Sequence, residues 1–502
     1  MMIKSKSVSQ FERGAGLLLP ISSLPSPYGI GTLGDEAYKF VDSLVLAGQK
    51  YWQVLPVGPT SFGDSPYQSF SAFAGNPYFI DLDFLIEEQL LKQTDVTSLT
   101  WGDRDDEVDY ATIYNNRFQV LKIAYKNSLH KQTTDYKNFC SDNIYWLDDY
   151  SFYMALKFHF ENREWLLWDK DICYREKEAM ERFKKLLSED IDFWKFCQYK
   201  FNQQWKKLKS YTNEKGIKII GDIPLYVSMD SSDVWVHGRL FELDEGKNPI
   251  NVAGVPPDAF SATGQRWGNP LYDWDAMEKE DFSWWRERMK SSAKLYDIIR
   301  IDHFIGIVRY YGIPSESETA MIGEWRKGPG SKLTNVIKES IGDAQIIAED
   351  LGVVVPSVRK LMYKTGWPGM KILQFAFDGS ADNEYLPHNY KDSNSLVYGG
   401  THDNETIVGF FQNKKGKELE YLLRYLNIKK KKEISDSILR LAYASVSSVA
   451  IFQMQDILKL DNKARMNLPA TVGANWRWRM RKDQFTDRDI LKLKELVETY
   501  GR

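Results

Sequence analysis

Four short stretches end in ionisable side chains whose types could do chemistry together. In DIIRIDHF, Asp297–Phe304, an apolar pair leads to Arg300, Asp302 and His303. IKIIGDIP (217–224) carries Asp222, AQIIAED (344–350) ends on Glu349 and Asp350, and SLVYGGTHDN (395–404) holds His402 and Asp403. Apolar runs of this length bounded by polar or turn residues read as buried strands. Alternate strand residues face the same side, so Arg300 and Asp302 point together. A guanidinium beside a carboxylate favours its ionised form, and a fixed carboxylate can act as a nucleophile. A second carboxylic acid, its pKa raised by neighbouring negative charge, can give a proton to a leaving oxygen and then take one back. Asp302 suits the first role and Glu349 the second. Asp403 and His402 suit the binding of hydroxyl groups, with Asp403 favouring a distorted, oxocarbenium-like transition state. Carboxylates of this kind, gathered with an arginine, suit glycosidic-bond chemistry.

These stretches need a scaffold that brings them to one place. GLLLPI (16–21) reads as a strand, 31–48 as a helix with Ala37, Phe40, Val41, Leu44 and Val45 on one face, and YWQVLPV (51–57) as a second strand. Strand, helix, strand is the unit of a parallel sheet. The alternation resumes at residue 217 and continues through strands near 298, 345, 370, 395 and within 442–458. Eight strands interleaved with helices predict a single α/β domain over 1–502, a (β/α)8 TIM barrel whose active site lies at the carboxyl ends of its strands. Two long segments interrupt the alternation. Residues 79–216 are charged, Trp-rich and helical in pattern, predicting a mostly helical subdomain inserted after the second strand. Residues 230–274, with GVPPDAFSATGQRWGNP, predict an irregular loop over the cleft after the third.

Composition narrows the partners. With 66 basic and 69 acidic residues the net charge is −3, which gives no electrostatic reason to expect nucleic acid or an anionic membrane. Three scattered cysteines form no disulfide or zinc pattern. No apolar leader and no apolar run of membrane-spanning length are visible, so a cytoplasmic protein is expected. Most of the 16 Trp, 28 Tyr and 26 Phe are expected to fill the core and some to line a cleft; Tyr67 and Trp267, on Gly-rich stretches, are candidates to stack on sugar rings.

RIDHF (300–304), AEDLG (348–352) and THDNET (401–406) resemble the strand-4, strand-5 and strand-7 motifs of the α-amylase superfamily. GDSPYQSFSAFAGNPY, GDIPLYVSMDSSDVW, DAFSATGQRWGNPLYDW and ARMNLP…GANWRWR are similar to the 4-α-glucanotransferase (amylomaltase) family, in matching order from about Gly16 onward. The resemblance implies a retaining transfer of α-1,4-glucan segments from a donor maltooligosaccharide to the 4-hydroxyl of an acceptor glucose or glucan. It implies Asp302 as nucleophile, Glu349 as acid/base and Asp403 as transition-state stabiliser. Arg300, His402, Asp222, Tyr67, Ser65, Trp267, Asn475 and Phe260 are implied as substrate-binding residues. It further implies no organic cofactor, no catalytic metal and no C-terminal β-sandwich. Its partners would be maltooligosaccharides and starch- or glycogen-derived glucans.

The same residues leave three alternatives: a retaining α-glucan hydrolase, a metal-dependent barrel hydrolase using His303, His402, Asp302 and Asp403, and a non-catalytic glucan-binding protein. Metal sites of that kind want several imidazoles, and the chain has six histidines, with none in LLLPISS. A hydrolase would differ only in the acceptor, since water exclusion by loops decides between water and sugar. One position departs from the family pattern: PPDAFS has Ala259 where members often carry tyrosine, so acceptor-side binding should be weaker. Ala259→Tyr is expected to lower the KM for an acceptor and shift the product chain lengths, read from a maltodextrin ladder.

Overall fold

The computed structural model describes residues 11–61, 63–257 and 261–502. The readings made for Ala259 and Phe260 fall outside the described residues. Eight parallel strands form the central sheet: β1 (Gly14–Leu18), β2 (Tyr51–Gln53), β3 (Lys218–Ile223), β4 (Ile298–Ile301), β5 (Gln345–Ala348), β6 (Gly369–Ile372), β7 (Ser395–Tyr398) and β8 (Val449–Gln453). They pair in the order β6-β7-β8-β1-β2-β3-β4-β5. The ring closes between β5 and β6, where Ala348 N donates to Pro368 O at 2.9 Å and Met370 N donates to Asp350 Oδ1 at 2.8 Å. All eight strands are the ones expected from the sequence, with bounds that differ by a few residues; β1 and β6 begin earlier than expected and end earlier.

Alternation along these strands builds two apolar layers. Leu18, Tyr51, Ile220, Ile298, Ile347, Met370, Leu396 and Val449 form one cluster with a member from every strand, which fills the lumen. Their neighbours Leu17, Trp52, Ile219, Ile299, Ile346, Val397 and Ala450 belong to the outer layer, beneath the helices. Helix Asp35–Leu46 shows the logic: Ala37, Phe40, Val41 and Leu44 are buried, and Phe40 packs edge-on to Trp52 at 5.2 Å. Val45, expected on that face, is 40% exposed, because it lies at the stripe's margin. Period two continues to the mouth. Asp222 on β3 pairs in register with Arg300 on β4, so both face the lumen above Ile220 and Ile298.

Between β2 and β3 the chain forms helices, of which Tyr110–Asn127, Leu147–His159 and Ser188–Glu214 are the longest. The last runs for 27 residues. Two of its glutamines each clamp a peptide unit of the segment after β2. Gln198 accepts from Gly75 N and donates to Gly75 O, both at 2.8 Å. Gln204 accepts from Asp81 N at 2.7 Å and donates to Asp81 O at 3.1 Å. These bonds satisfy buried backbone groups that no sheet or helix serves.

The stretch 230–274, expected to be an irregular loop, contains a helix, Ser232–His237, and two strands, Asn251–Val255 and Gln265–Pro270. With Arg309–Pro314 and Glu324–Lys327 they form an antiparallel sheet, in the order 265–270, 251–255, 309–314, 324–327. These strands are four to six residues long and rich in Gly and Pro. Their pairing partners lie far along the chain, as Pro314 does from Asn251, so no local alternation marks them. Among the described residues, the barrel and this sheet are the two sheets, and no helix is long and apolar enough to cross a membrane.

Asp350 is the side-chain pin of the β5–β6 closure. Asp350→Ala leaves Met370 N buried without its acceptor and is expected to cost about 1–3 kcal/mol. Asp350→Asn, which keeps an acceptor oxygen, should cost less. The midpoint of urea unfolding measures both.

Candidate active site

The carboxyl ends of the strands open into a cleft of about 1910 Å³. At its floor lies Arg300, whose side chain is 3% exposed. Its Nη1 donates to Asp222 Oδ2, its Nη2 to Asp302 Oδ1 at 3.1 Å, and its Nε to Met370 Sδ at 3.4 Å. One buried cation thus divides its charge between two carboxylates. Asp222 also accepts from the Tyr67 hydroxyl at 2.7 Å. Being 1% exposed, it sits beneath the cleft rather than among its lining residues. The structure therefore places Asp222, expected to touch substrate, as the support of Arg300 and Tyr67.

Asp302 follows β4 and lines the cleft with its side chain 29% exposed. His303, next in the chain, adopts a left-handed backbone at φ 52°. That conformation is uncommon for a residue with a Cβ. The turn it makes aims the His303 N–H at Glu349 Oε2, at 2.6 Å. Glu349 Oε1 accepts from Leu351 N at 2.9 Å, so both oxygens of this carboxyl are fixed by backbone. The His303 ring lies edge to face with Trp267 at 4.8 Å. Trp267 stands in strand Gln265–Pro270 and not on a loop as expected.

Burial sets the electrostatics. It pushes Glu349 up to about 7, against the pull of Arg300 and of the two backbone N–H groups. The expected cause, neighbouring negative charge, is a smaller contribution from Asp350. Burial also pushes Asp302 well above the usual carboxylate range, against Arg300. Arg300 lowers the Asp302 pKa as expected, but burial outweighs it, and that guanidinium is shared with Asp222. The two carboxyls act on each other, so each opposes the ionisation of the other. The N–H of Arg300 on Asp302 favours the anion there and the proton on Glu349. Burial pushes His303 down to about 4 and His402 below its ordinary value, so both rings are neutral.

The other wall comes from β7 and the loop near 470. Asp403 Oδ1 accepts from Asn467 Nδ2 at 2.6 Å and lies 3.4 Å from His402 Nε2. Arg465 Nη2 donates to the Asp403 carbonyl at 2.7 Å. Tyr67 stacks on the His402 ring at 5.1 Å and 19°, with Trp476 tilted against both rings at 5.8 Å. Ser65 lines the cleft and accepts from Tyr67 N at 3.3 Å. Asn475 is turned away: its amide serves Leu468 and Thr471 of its own loop. Asp350 likewise belongs to the β5–β6 closure. Asn467 and Trp476 were not singled out from the sequence; both lie within ARMNLP…GANW, which carried the only signal for them. Among the described residues no three His, Cys, Asp or Glu side chains are grouped as metal ligands.

A parallel barrel with three carboxylates and an arginine at the mouth of a long aromatic cleft defines a carbohydrate-active barrel enzyme. The family model described as 4-alpha-glucanotransferase matches residues 19–485. The chain is 51% identical to the 4-alpha-glucanotransferase of Clostridium butyricum over 484 residues, covering 96% of this chain and 99% of that one. To the 4-alpha-glucanotransferase of Thermus thermophilus it is 42% identical, covering 98% and 100%. The structure of amylomaltase from Streptococcus agalactiae in complex with acarbose superposes with a TM-score of 0.95 at 45% identity, covering 98% and 100%. The chain belongs to the 4-alpha-glucanotransferase family, and its class of activity is the transfer of α-1,4-glucan segments.

Tyr67→Phe removes the hydroxyl that bonds Asp222 and leaves the ring on His402. Loss of one such bond is expected to lower kcat/KM for maltotriose by about 10-fold, equivalent to about 1.4 kcal/mol. Steady-state glucose release checks it.

Proposed function

We propose that this chain transfers glucan segments by two displacements at one anomeric carbon, with Asp302 as nucleophile, Glu349 as acid and base, and Asp403 as the group that stabilises the transition state. The observation that carries the reading is the unequal setting of the two central carboxyls. Asp302 accepts from Arg300 Nη2 at one oxygen and lines the open cleft. Glu349 is clamped by two N–H groups in a site that raises its pKa to about 7.

In the first step a carboxylate oxygen of Asp302 bonds to the anomeric carbon of the donor. The glycosidic bond breaks, and its electron pair takes the Glu349 proton as the new hydroxyl of the departing segment. An ester of Asp302 remains. In the second step Glu349, now a carboxylate, takes the proton of an acceptor 4-hydroxyl as that oxygen attacks the same carbon and Asp302 leaves. Two inversions give retention. Asp403, aimed by Asn467 Nδ2, accepts from sugar hydroxyls and opposes the positive charge that builds on the ring. Tyr67, stacked on His402, forms the apolar wall of the donor ring. The substrates on this reading are maltooligosaccharides and other α-1,4-glucans, and no step uses an organic cofactor. The balanced charge and the three unpaired cysteines support a cytoplasmic role in carbohydrate metabolism.

Glu349→Gln is expected to lower kcat with maltotriose by about 10²–10⁴-fold. With α-glucosyl fluoride, whose leaving group needs no proton, the same variant should accumulate a glucosyl ester on Asp302, seen by mass spectrometry of a peptic peptide. Absence of that adduct, or wild-type turnover by Asp302→Asn, overturns the assignment. Maltotriose should yield glucose and a ladder of longer products, whereas a steady gain of reducing ends without longer products indicates hydrolysis. Glu349 must be protonated in the free enzyme, so kcat/KM should fall as pH rises through about 7. That basic limb should vanish in Glu349→Gln.

A further inference from the structure

The cleft extends past the three carboxylates to a tryptophan that the mechanism does not use. Trp325 stands in strand Glu324–Lys327, at the outer edge of the antiparallel sheet, and lines the cleft while 39% exposed. Most large aromatic side chains of the chain are buried; this one is presented. It is also held. Trp325 pairs in register with Tyr311, and their rings meet edge to face at 5.4 Å. The Arg309 guanidinium lies over the indole, 4.0 Å from the ring centre. Two residues apart on one strand, Arg309 and Tyr311 face the same side. Arg309 Nη2 in turn donates to Val353 O at 3.2 Å. Val353 follows Glu349 by four residues in the segment leaving β5, and Leu351, Gly352 and Val353 line the cleft with Trp325.

This chain of contacts fixes the side of the cleft. Asp403, His402 and Tyr67 crowd the wall of β7 and of the segment after β2. Trp325 is tied to the wall that carries Glu349, where the departing segment leaves and the acceptor enters. A flat apolar ring with an immobilised backing loses little conformational freedom when a pyranose packs on it. Arg309 strengthens the platform by holding the indole from behind.

We propose that Trp325 is an acceptor-side platform on which a glucose ring remote from the reacting hydroxyl stacks, so that it selects acceptors by chain length. This rests on the assignment of Glu349 to the departing and entering segment. Trp325 is a specificity-determining residue and takes no part in bond making.

The test uses α-glucosyl fluoride as donor, which offers one sugar ring to the donor side, with glucose, maltose or maltohexaose as acceptor. Trp325→Ala is expected to lower the ratio of acceptor kcat/KM for maltohexaose over glucose by about 5–10-fold. Trp325→Phe, which keeps a ring against Arg309, should retain most of that ratio and guards against a folding defect in the alanine variant. An unchanged ratio in both variants overturns the proposal. So does an equal loss for glucose and maltohexaose. A loss that follows donor length, with maltoheptaose as donor and glucose as acceptor, also overturns it by moving the platform to the other side. The glucosyl ester on Asp302 is read separately, so its absence would sink the two-step mechanism whatever the Trp325 ratio shows.

Discussion

One guanidinium buried in the barrel mouth organises this protein. Arg300 cannot be solvated where it lies, and an unpaired cation there would be expensive. Its partners come from different places: Asp222 from β3, Asp302 from the turn after β4, and the sulfur of Met370 from β6. A single side chain therefore fixes the relative height of three strand ends. Because Asp222 takes much of its charge, Arg300 does not fully ionise its neighbours. Burial does the rest, raising the pKa of both Glu349 and Asp302 against the pull of the arginine. The arginine thereby sets the geometry of the site and opposes the protonation that burial favours.

The scaffold was legible because its signal is local. Each barrel strand is an apolar run with an abrupt polar end, and each is buried on both faces, so a single window of sequence suffices. Asp302, Glu349 and Asp403 were visible for the same reason: they stand at those ends. The pKa causes were harder to see. Sequence places Arg300 beside Asp302 but not Asp222 beneath it, so the sharing of charge appears only when β3 and β4 are set in register.

What stayed hidden depends on distant partners. The antiparallel sheet is made of short strands whose hydrogen bonds come from elsewhere in the chain, and Gly and Pro there looked like loop chemistry. Asn475 and Asn467 lie eight residues apart with the same side chain. One ties its own loop together and the other reaches Asp403. Nothing in their types separates them; only the path of the loop does. Asp222 and Asp350 are similar cases: at the barrel mouth one bonds Arg300 and Tyr67 and the other Met370 N.

The two glutamines of helix Ser188–Glu214 carry a consequence for the order of assembly. Each clamp joins residues 123 positions apart, across almost the whole run of helices between β2 and β3. Closing so long a loop costs entropy before any contact rewards it. The segment that follows Ser65 and Tyr67 is held in part by that helix, through Gly75 and Asp81. Strands β1 and β2 can meet early, but β2 reaches β3 only across a longer loop still, from residue 53 to residue 220. The barrel and this wall of the catalytic cleft therefore close over the same span of chain.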